Sequence, residues 1–434
     1  MKIYKFGGAS VKDADSVRNM ASIIEQSSED DRWVVVSAMD KTTNLLEILL
    51  EAYRQNFSNK EEILERVKDF HKEILDDLFP FSENEVNAVI GQLFFELEEA
   101  LERGMEFSKD VHYDQVVSFG ELLSTRIICA YLDQVGQANT WVDARTHIVT
   151  DDSHKEAKVD FQATRAKVQK EWNRVSESPS LVGHGLMVTQ GFIGGNGERT
   201  TTLGREGSDY SGAILAWCLD AEELVIWKDV PGMLNADPKY FPDANQIPSI
   251  SYKEAMELSY YGASVIHPKT LKPLQNKGIP LFVKSFVQPE APGTSIHHDE
   301  RQDGRMPSFI FKESQVLLSI IPKDFSFIME EGLGNIFSSL AEHRLRANLT
   351  QNSAVSFSIC LDDSSDRIDA FRDAISDEYK VLYNQGLSIL TIRHYTDEVI
   401  DELLDGREVL VEQRSRYTAR YVIRGGFSRP TEAD

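Results

Sequence analysis

The chain has 434 residues, of which 41% are hydrophobic and 27% charged, which is typical of a globular protein with two or three domains. Its formal net charge of -24 argues against a nucleic-acid-binding surface, because such a surface needs a basic patch. No apolar run approaches the roughly 20 residues of a membrane-spanning helix, and the N-terminal MKIYKFGGAS lacks the basic-then-apolar pattern of a signal peptide. We therefore expect a cytoplasmic protein that binds neither nucleic acid nor membrane.

Short apolar segments alternate with helical patterns over residues 1–295, the predicted catalytic domain. The first two predicted strands are KIYKF and RWVVVS, and each is followed by a turn and a helix-like segment. Residues 45–104 carry apolar side chains three and four positions apart throughout, which predicts a helical insertion. Strand-and-helix alternation then resumes, so the pattern predicts an α/β fold with a mainly parallel sheet.

The remaining residues follow a different order. Residues 296–308 belong to a stretch rich in Pro, Gly, Asp and His, and we predict a linker there. Residues 309–434 follow as strand, helix, two strands, helix and strand, the order of a ferredoxin-like α+β module. A second copy of this order begins near Leu387 and lacks a clear final helix and strand, so we predict one full module and a shortened second one.

The first motif with chemical potential is KFGGAS. Lys5 ends a predicted strand, and Gly7 and Gly8 allow the backbone to approach a phosphate closely with its amides. A diglycine after a strand is also a common tight turn, and that alternative stays open. The chain contains neither a Walker sequence nor a G-x-G-x-x-G after a strand, so a nucleotide must be held in another way.

The second motif is RTTTLGREGSDYSGAILAWCL, a glycine-rich turn that leads directly into an apolar helix. Arg205 can hold a carboxylate or phosphate through two parallel hydrogen bonds. Asp209 lies at the expected helix start, where an anion site forms, although it can equally be a simple helix cap.

In SFGELLS, Glu121 lies in the first turn of another apolar helix, a common position for an acid. WKDVPGMLNADPK places Asp229 after a strand, where open α/β sheets bind ligands.

Taken together and in this order, these motifs resemble the aspartate kinase family. The resemblance covers residues 1 to about 295, interrupted by the helical insertion, and the C-terminal part resembles the ACT domains by which that family senses amino acids. The blocks that carry it are KFGGAS, VVVSAMDKTTNLL, FGELLSTRI, TQGFIGG, RTTTLGREGSDYSGAILA, VPGMLNADPK and ELSYYGASVIHPKTL.

The resemblance implies a three-layer α/β/α amino-acid-kinase domain that phosphorylates the side-chain carboxylate of L-aspartate with ATP and Mg2+. It assigns catalytic roles to Lys5 and Asp209. It implies a homodimer and no protein residue as a metal ligand. The implied substrate-binding residues are Ser37, Thr43, Glu121 and Arg205, and the implied nucleotide-binding residues are Gly7, Gly8, Lys228, Asp229, Lys239 and Ser264.

Several residues depart from the family pattern. The family often has glycine where this chain has Asp40. Ser264 replaces a lysine that meets ATP phosphate in the family, and Lys228 replaces a threonine at the nucleotide. We therefore predict that Lys228 supplies the cation missing at position 264, with Lys269 as a fallback.

The ACT-like part departs further. Asn348 and Ala354 stand where relatives that are inhibited by their end product carry acids for the effector's amino group. We expect lysine inhibition to be weak or absent, while threonine or no effector remains open. Two other functions remain as alternatives. One is an amino-acid kinase for a different carboxylate or a carbamate, and the other is a catalytically inactive regulatory subunit that binds an amino acid.

Overall fold

The computed structural model describes residues 1–26, 32–80, 85–177, 185–263, 266–324 and 326–426. The chain divides into two compact units. The first comprises Met1–Met233, Gln246–Met256 and Val265–Glu300, and the second comprises Leu234–Asn245, Glu257–Ser264 and Arg301–Asp434. None of the helices in the described ranges is long and apolar enough to cross a membrane.

A mainly parallel sheet forms the centre of the first unit. Within the described residues it has eight strands in the order β3-β4-β2-β1-β7-β9-β10-β8, in which only the β9–β10 pair is antiparallel. The strands are β1 (Lys2–Phe6), β2 (Arg32–Val36), β3 (Thr140–Val142), β4 (Leu186–Gln190), β7 (Glu223–Lys228), β8 (Ser249–Ser251), β9 (Leu281–Ser285) and β10 (Thr294–His297), and β5 (Ile193–Gly195) and β6 (Thr200–Thr202) form a separate antiparallel pair.

Helices cover the faces of this sheet, as the alternation in the sequence predicts. All five residues of β2 are buried, as expected for a parallel strand covered on both faces. The helix α9 packs on β1, β2 and β7, and α6 packs on β2, β3 and β4. The helices outside the insertion are α1 (Ala14–Gln26), α5 (Lys109–Val117), α6 (Phe119–Gln134), α7 (Ala144–His147), α8 (Phe161–Ser176), α9 (Gly207–Leu219), α10 (Tyr252–Tyr261) and α11 (Pro268–Lys277).

The predicted insertion is helical. It contains α2 (Thr42–Arg54), α3 (Lys60–Leu78) and α4 (Glu85–Arg103). The buried residues of α4 recur every three or four positions, at Val86, Ile90, Leu93, Leu97 and Leu101, and they join the same apolar core as the sheet. The apolar stripe read from the sequence is therefore the face that holds the insertion against the domain.

The second unit contains an antiparallel sheet with six strands in the described residues, in the order β12-β13-β11-β14-β16-β15. Helices and strands alternate in the predicted ferredoxin-like order, so the fold class expected from the sequence is confirmed here too. The elements are β11 (Ser308–Pro322), α12 (Glu330–Glu342), β12 (Ala347–Asn352), β13 (Phe357–Asp362), α13 (Ser365–Ala374), β14 (Tyr379–Arg393), α14 (Asp397–Leu404), β15 (Val409–Arg414) and β16 (Thr418–Arg424).

Two long strands of this sheet pair with each other through an irregularity. Both β11 and β14 have 15 residues, and their pairing changes register between Lys312 and Gln315, where Ser314 has a φ of 55°. Before this irregularity, residues 308–312 pair with the end of β14, which also pairs with β16. The beginning of β11 therefore lies in the same half of the sheet as β16, beside the strands of the shortened second module.

Candidate active site

The carboxyl ends of β1, β2 and β7 border a cavity of about 610 Å³ in the first unit. These strands are parallel neighbours, so their ends meet at one edge of the sheet, where such folds bind ligands. The N-terminus of α9 closes another side. Of the predicted site residues, the cavity is lined by Lys5, Gly8, Ser37, Thr43, Glu121, Arg205, Asp209 and Lys228.

Two lysines meet one buried carboxylate in this cavity. Asp209 is 3% exposed, and its Oδ1 lies 2.6 Å from Lys5 Nζ while its Oδ2 lies 3.4 Å from Lys228 Nζ. Burial alone would raise the pKa of Asp209, but the two ammonium groups outweigh it and lower that pKa. This cluster of Lys5, Asp209 and Lys228 therefore contains two cations and one carboxylate and carries a net positive charge.

The alternative of Asp209 as a helix cap is wrong. The helix α9 begins at Gly207, and the residue before it, Glu206, has a left-handed backbone with a φ of 53° and no side-chain capping bond. Asp209 lies in the first turn of the helix. Its carboxylate is directed to the lysines instead of the helix amides.

The two glycines of KFGGAS permit close packing around this cluster. A Cβ on Gly8 would lie 2.7 Å from the carbonyl oxygen of Asp40 and 2.8 Å from that of Ala38, distances that backbone atoms do not tolerate. A Cβ on Gly7 would lie 3.4 Å from Lys5 Nζ. The diglycine therefore serves as a tight turn and also leaves the space beside the Lys5 ammonium open.

Glu121 lies deep in the cavity wall, and only one of its two carboxylate oxygens accepts a hydrogen bond. The side chain is 2% exposed, and Oε1 accepts a hydrogen bond of 3.1 Å from Ala38 N. No residue in the described ranges donates a hydrogen bond to Oε2. Burial raises the pKa of Glu121 to about 8. A buried acceptor without a partner costs free energy, so this oxygen is suited to a ligand that brings its own donor.

Arg205 lies at the cavity rim and has no partner among the residues that the structure describes. Its side chain is exposed, and it lies between Gly204, with a φ of 77°, and Glu206. The backbone of Ser37 is fixed nearby, because Ser124 Oγ donates to its carbonyl oxygen at 2.8 Å. A buried acceptor and an exposed guanidinium therefore belong to one cavity, as binding of an amino acid requires.

The comparison with known proteins agrees with this geometry. Residues 1–285 match the amino acid kinase family. The chain belongs to that family.

Within the amino acid kinase family, the chain belongs to the aspartokinases, enzymes of amino-acid biosynthesis that phosphorylate aspartate. It is 34% identical to the lysine-sensitive aspartokinase 3 of Escherichia coli over 363 residues, which cover 83% of this chain and 78% of that protein. It is 31% identical to the aspartokinase of Chlamydia pneumoniae, over 82% of this chain and 76% of that one.

A solved aspartokinase also has the same fold. The crystal structure of Escherichia coli aspartokinase III in complex with aspartate and ADP superposes with a TM-score of 0.81 at 29% identity, covering 98% of this chain and 96% of that one. The aspartate kinase of Clostridium acetobutylicum superposes with a TM-score of 0.78 at 21% identity and so supports the fold alone.

Some residues implied by the aspartokinase resemblance do not line the cavity. Asp229 follows the end of β7 and is exposed, and Lys239 belongs to the second unit, where its backbone amide donates to Asp237. Ser264 lies outside the described residues. The fallback cation Lys269 lies 3.9 Å from Glu156 and is also absent from the lining, whereas Lys228 is present.

Sequence reasoning assigned no role to several lining residues, which come from segments distant in the chain. They include Tyr113, Lys155, Glu156 and Phe192, together with Asp40. Asp40 has a φ of 45°, in the left-handed region where glycine is favoured. This backbone requirement accounts for the glycine that aspartate kinases often have at that position. Phe192 belongs to the TQGFIGG block, whereas Tyr113, Lys155 and Glu156 belong to no motif, and only the fold brings them to the cavity.

Proposed function

We propose that this chain transfers the γ-phosphoryl group of ATP to the side-chain carboxylate of L-aspartate and produces 4-phospho-L-aspartate, the first step toward lysine, threonine and methionine. The observation that carries the proposal is the coexistence, in one cavity, of the unpaired Oε2 of Glu121, the unpaired guanidinium of Arg205 and the Lys5–Asp209–Lys228 cluster. These groups complement an ammonium, a carboxylate and a transferring phosphoryl group, respectively.

The substrate end of the cavity accounts for recognition of an α-amino acid. Glu121 accepts the α-ammonium through Oε2, and Arg205 clamps the α-carboxylate with two parallel hydrogen bonds. Ser37 and Thr43 line the pocket between them. Held at both α substituents, the substrate directs its side-chain carboxylate toward Lys5.

The reaction at the other end needs positioning and charge neutralisation. One oxygen of the aspartate side chain forms a bond to the γ-phosphorus, the bond between that phosphorus and the ADP oxygen breaks, and no proton has to move. Lys5 neutralises the negative charge on the transferring group, while Lys228 binds the nucleotide phosphates. Asp209 holds both ammonium groups in place. Preorganised charges of this kind stabilise the transition state without a covalent intermediate.

The residues present fit a magnesium ion that arrives with the nucleotide. Among the residues that the structure describes, no group of three or more His, Cys, Asp and Glu side chains is arranged to hold a metal. Mg2+ commonly keeps several waters and binds through substrate phosphates with one or two carboxylates. When bound, Mg2+ would neutralise charge on the nucleotide phosphates. Asp209, the buried carboxylate next to Lys5 and Lys228, would contact the ion through a water molecule.

We further propose that the enzyme acts in the cytoplasm as a homodimer. The antiparallel sheet of the second unit ends in the edge strands β12 and β15, and unpaired strand edges favour pairing with a second copy. We also propose that an amino-acid effector binds the ACT region. Lysine is expected to inhibit the enzyme weakly or not at all. Sedimentation equilibrium would measure the oligomeric state.

The direct test is an assay of the purified protein with ATP, Mg2+ and L-aspartate in which hydroxylamine traps the acyl phosphate. We expect hydroxamate that depends on aspartate, and none with glutamate or with carbamate in its place. Binding of aspartate without turnover would contradict the kinase activity and favour a regulatory subunit.

A further inference from the structure

Lys155 has an unusual backbone for its residue type. Its φ is 69°, in the left-handed region that residues other than glycine, asparagine and aspartate rarely occupy. Such backbones persist where the surrounding structure determines them, and they are frequent at binding sites. Lys155 also lines the cavity described above.

A buried carboxylate fixes the Lys155 backbone. The amide N of Lys155 donates to Oδ1 and Oδ2 of Asp114 at 3.1 and 3.2 Å. Asp114 is 0% exposed, and it also accepts from Thr202 Oγ1 at 2.6 Å and lies 2.7 Å from His154 Nδ1. Residues from α5, from β6 and from the loop therefore converge on one carboxylate, which determines the position of Lys155.

The Lys155 side chain points along the cavity wall. Its Nζ lies 4.5 Å from the centroid of the Tyr113 ring, within the range of a cation–π contact, and Tyr113 lines the same cavity. The ammonium is also 3.6 Å from Asp110, whose side chain is 62% exposed. An ion pair this exposed contributes little, so a substrate carboxylate can compete for the lysine.

Lys155 and Arg205 share one rim of the cavity. A Cβ on Gly204 would lie 3.1 Å from the carbonyl oxygen of Lys155, so the backbone of the residue before Arg205 packs directly on the backbone of Lys155. Gly204 itself has a φ of 77°. Two segments with left-handed backbones thus meet at the cavity, and Lys155 and Arg205 both line it, as does Glu156 between the two segments.

We propose that Lys155 is a second cation for the α-carboxylate of the substrate, beside Arg205, and so favours substrates whose α-carboxylate is free and charged. This inference rests on the proposed function. The three charged groups of aspartate then meet Lys5 at the side-chain carboxylate, Glu121 at the ammonium, and Arg205 with Lys155 at the α-carboxylate. A substrate without a charged α-carboxylate leaves Arg205 without that partner and Lys155 in its exposed ion pair with Asp110.

The test compares Lys155→Met with Lys158→Met in the full chain. Lys158 lies in the same loop and is exposed, but it does not line the cavity, so it controls for the loss of one positive charge. We expect Lys155→Met to raise the KM for aspartate roughly five- to thirtyfold, the range for a partly exposed charge-assisted contact. We expect kcat and the KM for ATP to stay within about twofold of wild type, and Lys158→Met to change neither.

Two further measurements separate charge from backbone. Lys155→Gly removes the charge together with the left-handed strain and should raise the KM for aspartate as much as Lys155→Met does. Lys155→Arg keeps the charge and should have the wild-type KM for aspartate. With the α-amide of aspartate as substrate, which lacks the α-carboxylate charge, wild type and Lys155→Met should have equal kcat/KM. Parallel losses on both substrates would overturn the proposal.

Failure of this inference is distinguishable from failure of the proposed function. If wild type phosphorylates aspartate and Lys155→Met has an unchanged KM for aspartate, or an increased KM for ATP instead, the role of Lys155 is wrong while the kinase activity stands. If wild type produces no hydroxamate from aspartate, both proposals fall together.

Discussion

The cavity of the first unit and one polar cluster of the second unit differ in how far their side chains pair with one another. In the cavity of the first unit, Glu121 Oε2 and Arg205 have no partner among the described residues. In the second unit, a polar cluster beside the β11 irregularity consists of side chains that satisfy one another, and we call it the closed polar cluster: Lys312, Gln315, Asn348 and Asp362.

The contacts of the closed polar cluster are short and mutual. Lys312 Nζ lies 2.6 Å from Asp362 Oδ1 and donates to Asn348 Oδ1 at 3.1 Å. Asn348 Nδ2 donates to Gln315 Oε1 at 2.8 Å, and Gln315 Nε2 donates to Asp362 Oδ1 at 2.8 Å. Satisfied networks rigidify a fold, whereas unsatisfied buried groups call for a partner. The comparison thus separates a site prepared for a ligand from a cluster that serves the fold.

The largest effect is expected at Lys5. Lys5→Met removes the charge nearest to Asp209 and should lower kcat about 10²–10³-fold, the cost of losing one preorganised group that stabilises the transition state. Hydroxamate formation at saturating aspartate and ATP measures it. Lys2→Met on the same strand, where Lys2 pairs with Glu223, should leave kcat unchanged. Equal kcat values for Lys5→Met and wild type would remove Lys5 from the mechanism.

The next effect is expected at Lys228. Lys228→Thr should raise the KM for ATP about 10–100-fold, because a hydrogen bond to a charged group contributes about 1.5–3 kcal/mol. The KM for aspartate should change far less. Lys284→Thr is the matched control, since Lys284 lies on the neighbouring strand β9 and does not line the cavity. An unchanged KM for ATP in Lys228→Thr would mean that the nucleotide phosphates are bound elsewhere.

A small effect on stability is expected in the closed polar cluster. Burial would raise the pKa of Asp362, but hydrogen bonds from Lys312, Gln315 and Asn348 outweigh it and lower that pKa. The contribution to stability is therefore present above the unfolded pKa of about 3.9 and is lost as pH falls through the lower folded pKa. Because Asp362 is 59% exposed, Asp362→Ala should reduce the free energy of unfolding by less than about 1 kcal/mol.

Denaturant unfolding at neutral pH would measure this change, with Asp363→Ala on the neighbouring exposed aspartate as its control. The kcat of Asp362→Ala should equal that of wild type. A loss of activity without a loss of stability would show that the closed polar cluster communicates with a ligand.

The smallest expected effect is that of added free lysine on the rate of the reaction. Asn348 uses its amide within the closed polar cluster, and the Lys312 ammonium already lies against Asn348 and Asp362. We therefore expect millimolar lysine to reduce the steady-state rate little or not at all. Clear inhibition at micromolar lysine would contradict this expectation and show that the cluster opens.

Local patterns were sufficient for the fold class, and the resemblance to the aspartate kinase family pointed to the residues at the centre of the cavity. Lys5, Glu121 and Arg205 each lie beside a strand end or a helix start that can be recognised by periodicity, and parallel strand ends must meet. Lys155 could not be found in this way, since its position depends on Asp114, which lies 41 residues earlier in the chain. Its left-handed backbone has no signature in the residue type.

The division of β11 between two modules was equally hidden. No motif in the sequence marks a division within its 15 residues, and the change of register between Lys312 and Gln315 arises from pairing with β14, which lies far along the chain. The role of Asp209 also depended on tertiary structure. A first-turn aspartate is compatible with a cap in any sequence, and only the approach of Lys5 and Lys228 excludes that reading.

If Glu121 Oε2 and Arg205 bind an amino acid, the protonation state of Glu121 must change when aspartate binds. With a pKa of about 8, Glu121 is mostly protonated at pH 7 in the free protein. An arriving ammonium favours the carboxylate, so binding should release a proton, and the affinity for aspartate should rise between pH 6 and 8.

Isothermal titration calorimetry of aspartate at pH 7, in two buffers of different ionisation enthalpy, counts that proton. We expect aspartate binding to release a substantial fraction of one proton, and Glu121→Gln to show no such release. Equal binding enthalpies in both buffers for wild type, or the same proton release in Glu121→Gln, would contradict this expectation.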